Sequence, residues 1–176
     1  MASIYLIGPM GAGKSSVGRS LANKLGYDFY DSDREIEARC GVDIPTIFDY
    51  EGEVGFRDRE AAMIEELTAL PNVVVATGGG AILRESNRTF LRERGHVVLL
   101  SVELKEQFRR IGFDTRRPLL HTEDPKARLR ALMEERAPIY EALAHVEIAT
   151  DSRRMHHVVS RILHHLKSSG MLSARK

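Results

Sequence analysis

Short apolar runs recur along this chain, separated by longer stretches in which apolar positions return every three or four residues. The runs Ile4-Tyr5-Leu6-Ile7, Tyr27 to Tyr30, Val73-Val74-Val75-Ala76, Val97-Val98-Leu99-Leu100 and Val146 to Ala149 predict five strands. Between the first two, Val17, Leu21 and Leu25 fall on one helical face that Gly26 closes. Further helices are expected over 34–40, 45–50, 57–69, 85–93, 103–111, 125–143 and 154–167. Alternation of this kind marks βαβ units around a mostly parallel sheet, an α/β fold.

At 176 residues the chain fits a single domain, able to bury roughly 70% of its unfolded surface. No repeat, low-complexity tract or long linker divides it. The least regular stretch, GFDTRRPLLHTEDP over 112–125, reads as a mobile excursion over the surface, and 168–176 reads as a frayed tail.

Charge changes the picture little: 26 basic residues against 25 acidic ones argue against a nucleic-acid or membrane-surface protein. Of the basic residues 20 are Arg, a skew toward the bidentate partner of phosphates and carboxylates or a coding bias. Lone Cys40 forms no intramolecular disulfide, and the first apolar run stops at Gly8, short of a signal or membrane-spanning length. A cytoplasmic protein is expected. A monomer is favoured by the lack of an obvious exposed apolar helix.

The strongest chemical signal is Gly8-Pro9-Met10-Gly11-Ala12-Gly13-Lys14-Ser15, a G-x-x-x-x-G-K-S after a strand and before a helix. Its glycines let backbone N–H groups converge on phosphate oxygens, and the helix presents its positive end to them. Lys14 reaches the β- and γ-phosphates, and Ser15 offers a hydroxyl to Mg²⁺. This predicts a nucleoside-triphosphate site and leaves the acceptor open. Asn23-Lys24-Leu25-Gly26 lacks the Asp of a guanine-reading motif, which disfavours a GTPase.

Asp31 and Asp33 follow the second strand, at the carboxyl edge where open α/β sheets bind ligands. Two residues apart in extended chain, they would share one face, one serving a metal and the other a hydroxyl-bearing substrate. Alternatively one caps the helix starting near Arg34, with Asp33 the obvious N-cap. Thr77-Gly78-Gly79-Gly80 follows the third strand and predicts either close backbone approach to a ligand or a tight turn. Beside Glu60 and Glu134, Arg57 and Arg136 read from local chemistry as surface ion pairs. The pairs His156-His157 and His164-His165 read as a solvated helix face, because adjacent helical residues point about 100° apart.

Taken in order, GPMGAGKSSVGR, FYDSDREIE, FDYEGEVGFRDRE, TGGG, RRPLL and ERAPIY resemble the motifs of shikimate kinase from Ser3 to about Leu166. The resemblance implies a P-loop fold of the nucleoside monophosphate kinase type, with a five-stranded parallel sheet in order 2-3-1-4-5. It implies transfer of the γ-phosphoryl of ATP to the 3-hydroxyl of shikimate, a step of chorismate and aromatic amino-acid biosynthesis. Gly11, Ala12, Gly13, Lys14, Ser15 and Ser16 then bind ATP, and Asp31 matches the acid that, with Ser15, holds Mg²⁺. Asp33 matches the residue that hydrogen-bonds the acceptor hydroxyl, within a substrate-binding segment of about 33–60. Arg57 and Arg136 match the pair gripping the substrate carboxylate, and Gly79 and Gly80 a backbone contact to it. Arg117 matches the lid arginine, and Arg110 and Arg153 match positions near the adenine. Phe48 and Phe56 could pack around the substrate ring or simply join the core. A lid arginine that behaves like other arginine fingers contributes about 4 to 7 kcal/mol. A gluconate-type kinase and a nucleotide-binding module without turnover are the alternatives.

Overall fold

The computed structural model describes residues 2–111, 118–150 and 154–171. Its chain order is β1 (Ser3–Ile7), α1 (Lys14–Leu25), β2 (Asp28–Asp31), α2 (Ser32–Cys40), α3 (Ile44–Ala69), β3 (Val73–Ala76) and α4 (Glu85–Arg94). β4 (Gly95–Ser101), α5 (Leu104–Ile111), a 3-10 turn at Pro118–Leu120, α6 (Pro125–Leu143), β5 (Val146–Ala149) and α7 (Met155–Ser168) complete it. The five strands pair in parallel in the order β2-β3-β1-β4-β5.

Each inner strand is buried on both faces, which explains its uninterrupted apolar run. Tyr5, Ile7, Val73, Val75, Val97 and Leu99 face a core completed by Phe56, Met63, Ile64 and Leu67 of α3, Leu91 of α4 and Leu143 of α6. Ile4, Leu6, Val74, Val98 and Leu100 face the opposite core, built by Val17 and Leu21 of α1 and Val158, Val159 and Ile162 of α7. A third cluster, Ile111, Leu120, Leu129 and Leu132, packs α5 against α6 and the 3-10 turn.

Besides shifts of one or two residues at several element ends, two boundaries differ from expectation. Helical segments anticipated at 45–50 and 57–69 join into α3, broken only at Gly52, whose φ of 69° is the left-handed turn that joins them. The exposed side chains Tyr50 and Val54 on either side of that break blur the apolar period. The start of the expected frayed tail is held in place: Ser169, Gly170 and Met171 donate backbone hydrogen bonds to the last turn of α7, and Met171 packs on the second core. Residues 172–176 lie outside the described residues. Among the described residues, no helix is long and apolar enough to cross a membrane.

Candidate active site

Register brings the carboxyl ends of β2, β3 and β1 together, with Asp31 level with Ala76 and Leu6 level with the same residue. At that edge Gly8 turns off the sheet with a φ of 140°, and a Cβ there would lie 2.2 Å from the Leu100 carbonyl oxygen. Only glycine allows this departure. The loop then runs directly into α1, whose N-cap is Gly13 and whose first amides therefore receive no side-chain cap. Such an end attracts an anion. Lys14 folds back to donate to the carbonyl oxygens of Gly8 and Pro9 at 2.7 and 2.9 Å. Together with Gly11, Gly13, Ser15, Ser16 and Asp31 it lines a cavity of about 220 Å³, with Ala12 buried behind.

The acidic pair is arranged differently from the expectation. Asp31, not Asp33, is the N-cap of α2: its Oδ1 accepts from the amides of Asp33 at 3.2 Å and Arg34 at 3.4 Å. The reason is that β2 continues through Asp31 and the helix begins at Ser32, so Asp31 is the last extended residue. Asp33 consequently belongs to the first turn of a helix, and helical turn rather than strand alternation carries it to the ligand edge. Its other carboxylate oxygen leaves Asp31 free to accept from Ser15 Oγ. The hydroxyl and carboxylate expected to hold Mg²⁺ are thus in direct contact, two oxygen donors beside the phosphate loop, a set that fits a hard divalent cation.

A second cavity, of about 90 Å³, shares Met10, Asp33, Gly78 and Gly79 with the first, and these four residues form the common wall. Arg57 and Arg136 line this second cavity, 8% and 5% exposed. Neither is a surface ion pair. Arg57 donates to Glu60 at 2.7 Å and Glu53 at 3.1 Å, and Glu60 is 1% exposed. Burial pushes the Glu60 carboxyl up, against the opposing pull of Arg57, Arg136 and Arg84. The Nε donors of Arg57 and Arg136 are buried with no hydrogen-bond partner among the described residues. Two buried guanidinium groups with unused donors on one cavity match a carboxylate-bearing ligand.

Thr77-Gly78-Gly79-Gly80 forms the tight turn offered for it, and its close approaches are to side chains of this chain. It turns tightly, with Ala81 and Leu83 donating to the carbonyls of Gly78 and Gly80 at 3.1 Å. It also allows close approach: a Cβ on Gly78 would lie 2.6 Å from Asp33 Oδ1, and one on Gly80 would lie 2.4 Å from both terminal nitrogens of Arg57. Phe48 and Phe56, with ring centroids 4.9 Å apart, line the cavity and pack in the first core.

Arg110, on α5, donates to Glu106, to Gly11 O and to Thr150, anchoring it on the phosphate-loop side. Arg117, Arg153 and the first part of the expected lid, 112–117, lie outside the described residues. Pro118 and Leu119, from the rest of that lid, line the second cavity. One histidine departs from the solvated face: His165 turns inward, its Nε2 3.2 Å from that of buried His96. Among the described residues no group of His, Cys, Asp or Glu forms a metal-binding cluster of three or more.

Four residues at the site escaped sequence reasoning: Ser32, whose Oγ accepts from Gly78 N at 3.0 Å, and Glu53, Glu60 and Tyr140. Helical spacing held a signal for one, since Arg57, Glu60, Ile64 and Leu67 recur at core spacing on α3.

The shikimate kinase family model matches residues 10–167. A shikimate kinase of Halorhodospira halophila is 55% identical over 164 residues, 93% of each chain. A solved shikimate kinase of Acinetobacter baumannii in complex with shikimate superposes with a TM-score of 0.95 at 46% identity, covering 98% of this chain and 96% of that one. Thymidylate kinase of Candida albicans, 11% identical with a TM-score of 0.61 and coverage of 96% and 92%, shares the fold alone. With the phosphate loop, the paired cavities and the sheet order in agreement, the chain belongs to the shikimate kinase family.

Proposed function

We infer that this chain transfers the γ-phosphoryl group of ATP to the 3-hydroxyl of shikimate, giving shikimate 3-phosphate and ADP. The observation that carries the reading is the common wall: a phosphate-loop cavity and an arginine-lined cavity meet at Asp33, Met10, Gly78 and Gly79. Family membership and the shikimate in the Acinetobacter baumannii relative support it.

In this reading Gly11, Ala12, Gly13, Lys14, Ser15 and Ser16 take the ATP phosphates. Lys14 exchanges its two carbonyl partners for phosphate oxygens, and the adenine side is assigned to Arg110 and, from the family resemblance, to Arg153. Arg57 and Arg136 grip the acceptor carboxylate, and the backbone of Gly79 and Gly80 contacts the acceptor. That grip orients the 3-hydroxyl toward the wall, where Asp33 accepts its proton or its hydrogen bond as the oxygen attacks the γ-phosphorus and the bond to the β,γ-bridging oxygen breaks. Ser15 and Asp31 would hold Mg²⁺, which supplies neutralisation of phosphate charge. The segment 33–60 binds the acceptor and 112–125 is the lid, Arg117 opposing charge on the transferring group and lid closure excluding water. We assign a monomer acting in the cytoplasm without nucleic-acid or membrane partners, on the near-balance of charge and the few large apolar side chains exposed among the described residues.

A coupled ADP-release assay with shikimate, with gluconate and with neither tests this. Turnover that depends on shikimate is expected. Turnover with gluconate alone, or ADP release indifferent to either acid, would overturn it.

A further inference from the structure

Tyr140 belongs to none of the roles assigned so far, yet it touches the wall between the two cavities. It lies one helical turn beyond Arg136 on α6, so both side chains leave the same helical face, and both are buried, at 4% and 5% exposure. The phenol donates to the carbonyl oxygen of Gly79. A Cβ on Gly79 would lie 3.6 Å from the Tyr140 hydroxyl and 3.7 Å from Arg136 Nη1, while one on Gly80 would run into Arg57. The glycine run is therefore clamped between the two arginines, with Tyr140 as the pin on one side.

That pin acts on one peptide group. The carbonyls of Gly78 and Gly80 are spent on Ala81 and Leu83, and the carbonyl of Gly79 is taken by Tyr140. The amides of Gly79 and Gly80 donate to no group among the described residues. A donor on a peptide carbonyl polarises the whole peptide group and strengthens the N–H at its other end. Here that N–H belongs to Gly80, on the acceptor cavity.

We propose that Tyr140 is a positioning residue for the acceptor, orienting and polarising the Gly79–Gly80 peptide so that its N–H serves as a hydrogen-bond donor to the bound substrate. The inference rests on the reading of the second cavity as the acceptor site. Burial pushes the phenol up to about 12, so it stays protonated, and stays a donor, across the working range of pH. Arg136 from the same face then fixes the substrate carboxylate while the peptide fixes another part of the same molecule, one helix setting both contacts.

The test is Tyr140→Phe, which keeps the ring and removes the hydroxyl, with its bond to Gly79 and its interaction with Arg136. KM for shikimate is expected to rise about 3- to 10-fold, the range for one hydrogen bond, with kcat and KM for ATP within about 2-fold of the parent. A purely structural tyrosine would lower Tm and move both KM values together, and that result, or an unchanged shikimate KM, overturns the proposal. On the unmodified protein, shikimate titration followed by NMR is expected to shift the Tyr140 Cζ and Gly80 amide resonances together. A Tyr140 resonance indifferent to shikimate also overturns it, whether or not the variant folds. Failure of the acceptor assignment itself looks different: the parent enzyme would show no shikimate-dependent ADP release.

Discussion

Gly80→Ala is the sharpest structural perturbation of the acceptor site, because it adds one methyl group and nothing else. Gly80 is not among the glycines with positive φ, so alanine brings no backbone strain. The added Cβ would lie 2.4 Å from both terminal nitrogens of Arg57. Ordinary contact begins near ~3.5 Å, so the guanidinium must retreat by about 1 Å. It cannot do so alone without stretching its 2.7 Å bond to Glu60, a carboxylate that is itself 1% exposed. Breaking such a buried pair outright costs about 3 to 5 kcal/mol, whereas the overpacking alone costs about 1 to 3 kcal/mol. The smaller figure applies if the pair moves as a unit, and we take it as the expected loss of unfolding free energy in urea. A displacement of that size at a substrate clamp is worth up to about 100-fold, so shikimate KM should rise about 10- to 100-fold. KM for ATP should stay within about 2-fold, because Arg57 does not line the phosphate-loop cavity. Steady-state kinetics with each substrate varied in turn, alongside urea unfolding, reads all three quantities. A variant with parental shikimate KM and reduced stability would show that Arg57 does not hold the acceptor.

Asp33→Asn should cut kcat by at least about 100-fold with ATP binding retained, the scale of a lost base or aligner, and near-normal turnover would remove Asp33 from the mechanism. Asp31→Asn should raise the Mg²⁺ concentration needed for half-maximal rate, with stability little changed because Asn caps a helix as well as Asp; an unchanged Mg²⁺ requirement would refute its metal role. His96, in contact with His165 and stacked on His145, is held by burial at a pKa of about 4, below its ordinary 6.5. The unfolded chain therefore binds more protons between those values, and stability should be lost as pH falls from about 6.5 to about 4, by roughly 1 to 2 kcal/mol after discounting for partial solvation. His96→Gln should flatten that slope in urea titrations, and an unaltered slope would refute the assignment.

The chain by itself determined the architecture and the donor site. Strand runs and helical periods are local patterns, and the phosphate loop is a contiguous motif whose strand and helix lie beside it in sequence, so all three are legible without a partner element. Motif order was sufficient for the family as well. What only the tertiary structure decided depends on contacts between distant segments. Which acid caps α2 follows from how far β2 pairs with β3, and that pairing carries the strand through Asp31. Whether Arg57 and Glu60 form a surface pair or a buried one depends on which face of α3 meets the sheet, a choice that the exposed Tyr50 and Val54 and the break at Gly52 obscure. Tyr140 could not be separated from its neighbours in ERAPIY, because its partner is a backbone carbonyl 61 residues away. His165 was read as solvated for a similar reason, its contact being with His96 on another element. Local chemistry specifies elements and loops; the charge state, burial and partner of a polar side chain depend on what long-range packing brings to its other side.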